Sequence, residues 1–321
     1  MCGLCGFLSY NDKQIDDIQN LTNALMESSA RRGTDAAGIA FCDSKGLKVV
    51  KEGKSAYQIN FKPPKETKAL IGHTRHSTQG AASRSFNNHP FFGQTKDARF
   101  ALAHNGIITN ELSLRDKYKL PKTNIETDSY IVIQILEALG RFNYRNLKTI
   151  AENIRGSFTL SFLDDRRNIH LIKGDSPLHI LHFPKQKLYV YASTENILWT
   201  ALIETELFDS LKKKEYKEIH ITEGDILTIT SKGKLIWERF NYIESYSMYS
   251  DWRYYGHWGL YDDYCFEEDN TGEQKNIKEE YVSCLRNAAA SMGVSPDDVE
   301  TLIDEGFTLD EIEEYIYECA R

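Results

Sequence analysis

The residue that most constrains this chain is its second. Cys2 follows Met1 and opens an apolar run, 2–9, that reads as a β-strand. Removal of Met1 leaves Cys2 with a thiol and a free α-amine on the same residue. Unperturbed, the amine titrates near pH ~8 and the thiol near ~8.5, so both protons are mobile close to neutrality. An amine held beside the sulfur, directly or through one water, serves as general base for a nucleophile. One residue at the head of a strand then holds both halves of a catalytic pair.

The spacing Cys2-x-x-Cys5 is also that of redox and metal sites, and His73-x-x-His76 could complete a four-ligand zinc set. Zinc leaves unexplained the other polar clusters along the chain. These are Arg31-Arg32-Gly33-Thr34-Asp35, His73-Thr74-Arg75-His76-Ser77-Thr78-Gln79-Gly80, Asn87-Asn88-His89-Pro90, Ala103-His104-Asn105-Gly106 and Glu126-Thr127-Asp128-Ser129. They stand near glycines and at the ends of apolar runs, where loops leave strands. A guanidinium grips an α-carboxylate in a two-pronged fork, and a carboxylate holds an α-ammonium. An Asn side-chain NH and a glycine backbone NH can converge on a developing oxyanion. Singly each cluster is a turn or a surface charge, and Asn-Gly usually marks a tight turn.

In this order the clusters resemble the glutaminase domain of the class II (N-terminal nucleophile) glutamine amidotransferases. The likeness is to the glutamine domains of glucosamine-6-phosphate synthase and phosphoribosylpyrophosphate amidotransferase. It runs from Cys2 to about residue 200, with weaker echoes to about 240. Arg155-Gly156-Ser157-Phe158, Asp175-Ser176-Pro177-Leu178 and Ala192-Ser193-Thr194-Glu195 are further landmarks. The resemblance implies an α+β fold, a four-layer αββα sandwich of two antiparallel sheets between helical layers.

It also implies roles, position by position. Cys2 is the nucleophile on the glutamine carboxamide, and Asn105 and Gly106 form the oxyanion hole. Arg75 clamps the substrate carboxylate and Asp128 reads its α-ammonium. Arg32 positions the nucleophile. Residues 75–80, with His76 and Thr78, resemble a loop that closes over bound glutamine. His104 supports the Asn-Gly loop. Two positions depart from the pattern. His76 stands where relatives carry an aromatic residue, and Cys5 where they carry a small apolar one. On a strand Cys2 and Cys5 face opposite ways, so Cys5 is expected as a small buried hydrophobe and the zinc reading recedes. The chemistry implied needs no metal and no cofactor.

With 321 residues the chain exceeds the usual single-domain size. It has no apolar run long enough to cross a membrane, and the residues at its start lack the charged and apolar regions expected of a secretory signal. Its six scattered cysteines suit a reducing cytoplasm. Strands are expected at 2–9, 37–42, 69–74, 99–104, 157–163, 168–172, 178–182 and 188–192. Helices are expected at 14–30, 109–117, 127–140, 144–154 and 194–203. Val132, Ile135, Leu136 and Leu139 mark one face of the third, with Asp128 in its first turn.

The glutaminase domain is expected over 1–240. An acidic linker, 241–275, follows, crowded with aromatics from Tyr242 to Phe266. A small acidic three-helix domain, 276–321, weakly resembles ubiquitin-associated bundles; its helix starts are Ser295-Pro296 and Thr308-Leu309-Asp310-Glu311. Residues 241–321 hold 20 acidic and 5 basic side chains, a net of −15 in a chain of −8, which leaves +7 for the rest. That polarity suits a tail folded on its own body or one that recruits a basic partner, and its acids would repel nucleic acid. Three functions remain: a glutaminase subunit feeding ammonia to a separate synthase, a stand-alone amidase or γ-glutamyl hydrolase, and a non-catalytic binding module.

Overall fold

The computed structural model describes residues 2–12, 14–15, 17–242, 286, 289–290, 294–304, 312 and 315. The chain divides into two compact units, Met1–Met248 and Tyr249–Arg321.

Two sheets build the first unit. Chain order gives β1 (Gly3–Ser9), β2 (Ala36–Asp43), β3 (Gly46–Glu52), β4 (Ala69–Arg75), β5 (Phe91–Gln94), β6 (Arg99–Ile108), β7 (Gly156–Asp164), β8 (Ile169–Lys173), β9 (His179–Phe183), β10 (Leu188–Ala192), β11 (Lys217–Glu218), β12 (Asp225–Ile229) and β13 (Leu235–Arg239). The first sheet runs β11-β9-β10-β1-β4-β2-β3 and the second β13-β12-β8-β7-β6-β5. β1, which carries Cys2 at its head, lies at the centre of the first sheet, between β10 and β4. β6 pairs with β7 in the second, opposing Asn105 to Thr159 and Gly106 to Phe158.

Strand alternation sets the layers. From β1, Leu4 and Leu8 enter a core shared with Ala101 and Ala103 of β6 and Leu163 of β7, between the sheets. Cys5 and Phe7 point the other way, into a core with Leu25 and Met26 of α1 (Ile18–Ser29) and Leu198 and Leu202 of α5 (Glu195–Ile203). Beyond the second sheet, Phe100, Leu102 and Phe162 pack on α3 (Tyr130–Leu139) and α4 (Tyr144–Asn153) through Ile131, Val132, Ile135, Leu147 and Ile150. Helix, sheet, sheet and helix therefore stack as four layers, an α+β sandwich. Both faces of β1 are covered, which is why its sequence is apolar without a break. α2 (Glu111–Tyr118) and the short α6 (Phe208–Lys212) complete the helices of this unit among the described residues.

Caps explain where the helices begin. Asp17 accepts from the Asn20 backbone, Asn143 from Asn146 and Thr194 from Ile197. α1 therefore starts at Ile18, later than the expected 14. α3 starts at Tyr130, so Asp128 precedes the helix rather than lying in its first turn. β3, β5, β11, β12 and β13 and helix α6 had no counterpart in the sequence reading. β3 sets Leu47, Val49 and Lys51 on one face and Lys48 and Val50 on the other at a sheet edge, and β13 is largely exposed, so neither shows a continuous apolar run.

In the second unit α7 (Pro296–Asp304) opens with Pro296 at its first position, as the sequence suggests. Ala289, Val294, Val299 and Ile312 form a small buried cluster. The second helix start at 308–311, and the aromatics of the linker beyond Tyr242, lie outside the described residues. Tyr242 itself packs on Phe158 and Phe240, at ring distances of 6.0 and 6.2 Å. No described helix is long and apolar enough to cross a membrane.

Candidate active site

The site forms where the strand ends of both sheets meet. Cys2 is half-buried at the head of β1. Its thiol faces the backbone carbonyl of His76 at 3.6 Å. The next residue, Gly3, allows this close packing, because a Cβ there would lie 2.5 Å from Thr74 Oγ1 and 2.7 Å from the Ser29 carbonyl. Arg32, buried in the turn after α1, donates from Nε to the Cys2 carbonyl at 3.0 Å. Arg32 thus fixes the Cys2 backbone.

Arg75 ends β4 and is 2% exposed. One guanidinium nitrogen donates to Asn88 Oδ1 at 2.6 Å. The other donates to the carbonyls of Gln79 and Gly80 and to Thr127 Oγ1, the last at 3.4 Å. The loop 76–80 is therefore wrapped around the arginine that begins it. Asp35 braces the same loop by accepting from the Ser77 backbone at 2.7 Å. A second zip holds Thr127 in place: its hydroxyl donates to the Asn87 carbonyl at 2.7 Å, and Asn87 and Glu126 exchange two further hydrogen bonds.

Asp128 is buried just before α3. Its Oδ2 accepts from the Ile108 backbone at 2.6 Å, and its Oδ1 from the Ser129 backbone at 2.8 Å and hydroxyl at 3.1 Å. Ser129 Oγ in turn meets His104 Nδ1 at 2.7 Å. The carboxylate is anchored to the end of β6, the strand that carries Asn105. Burial pushes the Cys2 thiol pKa up, the His76 backbone opposes this, and the charges of Asp128 and Arg75 act in opposite directions on the sulfur. Both charged groups are near enough to be felt there.

Asn105 and Gly106 sit inside β6 rather than in a turn. Asn105 is 2% exposed, and its side-chain Nδ2 has no hydrogen-bond partner among the described residues. A buried amide NH without a partner costs about 1–3 kcal/mol, so such a group marks a place built for something else. Gly106 has φ +133°, and a Cβ there would lie 2.1 Å from the Ser157 carbonyl. Only glycine fits that kink in the strand.

Cys2, Arg32, Arg75, Asn105, Gly106 and Asp128 are thus gathered at one end of the two sheets. His76 contributes its backbone carbonyl while the residue as a whole is exposed; Thr78 is also exposed and shows no hydrogen bond to any of them. Cys5 is buried against Met26 Sδ at 3.6 Å, and its thiol is pushed up to about 12 by burial. His73 bonds across to the second sheet, donating from Nε2 to the His104 carbonyl at 2.9 Å. The Cys2, Cys5, His73 and His76 zinc set is therefore not assembled.

Three neighbours of the site had no role in the sequence reading. Asn88 and Thr127 hold Arg75, and both lay within quoted clusters. Lys51, on β3, donates to the carbonyls of Asn88 and Pro90. No motif pointed to Lys51, because a lysine on an alternating edge strand looks like solvent-facing charge.

The family described as "Glutamine amidotransferase domain" matches residues 73–200. The glutamine–fructose-6-phosphate aminotransferase (isomerizing) of Staphylococcus aureus is 30% identical over 259 residues, covering 76% of this chain and 39% of that protein. The enzyme of the same name from Geobacillus kaustophilus is 32% identical over 186 residues, covering 56% and 30%. This chain therefore spans about a third of the length of these relatives. The glutamine phosphoribosylpyrophosphate amidotransferase of B. subtilis, complexed with ADP and GMP, superposes with a TM-score of 0.59 at 20% identity, over 75% of this chain and 49% of that one. An allosteric regulatory enzyme of purine biosynthesis gives 0.60 at 19% identity, with the same coverage. At those identities the structures speak to the fold, and the fold they share is the two-sheet sandwich with β1 at its centre. Sequence family, relatives and fold agree that this chain carries a class II, N-terminal-nucleophile glutamine amidotransferase domain.

Proposed function

We propose that the chain hydrolyses the side-chain amide of glutamine through a γ-glutamyl thioester on Cys2, releasing ammonia and glutamate. The observation that carries this reading is the unpartnered Asn105 amide, buried in the cluster that holds Cys2. In the proposed reaction the Cys2 α-amine, freed by loss of Met1, takes the thiol proton. The sulfur attacks the carboxamide carbon, and the oxyanion is met by Asn105 Nδ2 and the Gly106 NH. The amine returns the proton to the departing nitrogen, and ammonia leaves. Water, deprotonated by the same amine, attacks the thioester, and glutamate departs as the thiol is restored. Arg75 pairs with the substrate α-carboxylate and Asp128 with its α-ammonium. Arg32 keeps the nucleophile's backbone in place, and His76 and Thr78 on the loop 76–80 cover the bound substrate. A burial-raised thiol pKa fits this scheme, because the proton stays on sulfur until the amine removes it.

The relatives named above pass the amide nitrogen to fructose 6-phosphate, as their names state. For this chain we propose delivery to a separate synthase subunit. The net charge of −15 over residues 241–321, against +7 over the preceding 240, supports a recruiting role for the tail. Cys2, Cys5 and Cys42 are free thiols, which supports work in a reducing compartment.

Intact mass after incubation with 6-diazo-5-oxo-norleucine, a glutamine-shaped electrophile, tests the reading. Loss of the methionine mass and one adduct, absent from Cys2→Ala, is the expected result. A chain that retains Met1 when made in its own host would sink the catalytic reading.

A further inference from the structure

A second cluster of ligating side chains lies on the far edge of the first sheet. His179 begins β9, Glu195 begins α5 and Glu218 ends β11. One ligand atom from each lies within 4.8 Å of the others. We propose that these three residues form a structural site for a divalent transition-metal ion of the zinc class.

Each residue brings something that surface charge alone does not explain. His179 Nε2 is buried and has no hydrogen-bond partner among the described residues, although an imidazole nitrogen away from water requires one. Glu195 Oε1 accepts from Trp199 Nε1 at 3.0 Å, a contact that fixes the carboxylate from behind as outer-shell donors fix metal ligands. Glu218 Oε2 also lies 4.0 Å from Nε2 of the exposed His220, which stands outside the three-residue group. Two carboxylates placed this close repel one another, and a cation between them removes the repulsion. One imidazole with two carboxylates is a donor set suited to zinc. A tetrahedral ion with bonds of about 2.0–2.2 Å spaces its ligands roughly 3.4 Å apart, so modest rotamer changes close the site.

The ion would staple three elements. β11 has two residues and pairs only with β9 in its sheet, and a bond from Glu218 through the metal to α5 would secure that edge. The start of α5 is also tied to β1: Ser193 Oγ accepts from the Leu4 backbone at 2.8 Å, two residues from Cys2. The role is therefore to hold the frame of the nucleophile strand, with no part in proton transfer or in binding glutamine.

Zinc titration of the full-length Cys2→Ala chain, stripped with chelator and followed against a chromophoric competitor, tests this. The Cys2→Ala background removes the half-buried Cys2 thiol as a rival ligand. One zinc per chain is expected, weakened at least 100-fold in His179→Gln, at least 10-fold in Glu218→Gln and about 10-fold in Trp199→Phe. Zinc should raise the melting temperature of the parent and leave that of His179→Gln unchanged. Retained glutamine turnover by His179→Gln with Cys2 intact shows that this variant folds. Equal uptake by parent and His179→Gln, or no site tighter than about 10 μM, overturns the proposal.

Discussion

At Asn105 one unpaired amide hydrogen carries most of the chemical argument. If it meets the oxyanion, Asn105→Ala should lower kcat about 10²–10³-fold and change KM little, since the contact strengthens only as charge develops on the oxygen. Steady-state ammonia release against glutamine concentration separates the two constants; a rise in KM at constant kcat would reassign Asn105 to ground-state binding. Gly106 is the opposite kind of residue, constrained by backbone. A Cβ 2.1 Å from the Ser157 carbonyl at φ +133° must push β6 away from β7. Gly106→Ala should cost at least about 3 kcal/mol, read as a fall in melting temperature of about 6–12 °C. Both residues were visible in the sequence as a pair of donors. Their placement inside a strand was not, because Asn-Gly ordinarily forms the turn between strands, and only pairing with β7 shows that the kink is held within a ladder.

Elements were legible in proportion to how fully they are buried. β1, β4, β7 and β10 are covered on both faces and read as apolar runs. β3, half in water, did not, and with it went Lys51. That lysine is largely buried, sits over the Phe91 ring at 4.8 Å and holds the Asn88 and Pro90 carbonyls. Burial first, then the Arg75 charge, bring its pKa down to about 8. In the unfolded chain it titrates near ~10.4. Between those values the unfolded state binds the extra proton, so stability should rise with pH from 8 towards 10.5, by as much as roughly 3 kcal/mol. Below pH 8 both states are charged and the full burial penalty stands. Urea unfolding at pH 7.5, 8.5 and 9.5 should show that upward contribution in the native chain and its loss in Lys51→Met. Because Asn88 also holds Arg75, the same variant should raise KM for glutamine several-fold while largely preserving kcat.

On the scale of the whole molecule, the site depends on two sheets staying in register, and histidines join them. His73 of β4 donates to the His104 carbonyl of β6, and His89 lies against His73 with ring centroids 4.2 Å apart and the planes tilted by 35°. The sequence showed these histidines only as parts of separate motifs, since no periodicity reveals that 73, 89 and 104 converge between sheets. Burial pushes all three pKa values down, His73 to about 3 and His89 well below its ordinary range. A second proton on His73 would put an unpaired charge between sheets, beside His89 and His104 and within reach of Lys51 and Arg75. The unfolded chain pays no such penalty and protonates near ~6.5. Below that value it binds more protons than the native state, so stability falls with falling pH, by about 1.4 kcal/mol per unit for each histidine held neutral, until the folded pKa is reached. His89 isolates this effect, because among the described residues neither of its ring nitrogens has a hydrogen-bond partner to lose. His89→Phe fills the same space beside Phe91 and cannot protonate. Urea denaturation at pH 7.0, 6.0 and 5.0 should show the native chain losing about 1.4 kcal/mol per unit more than this variant towards the acid end. Parallel slopes for the two proteins would mean that His89 protonates as readily folded as unfolded, and that the sheet interface admits charge.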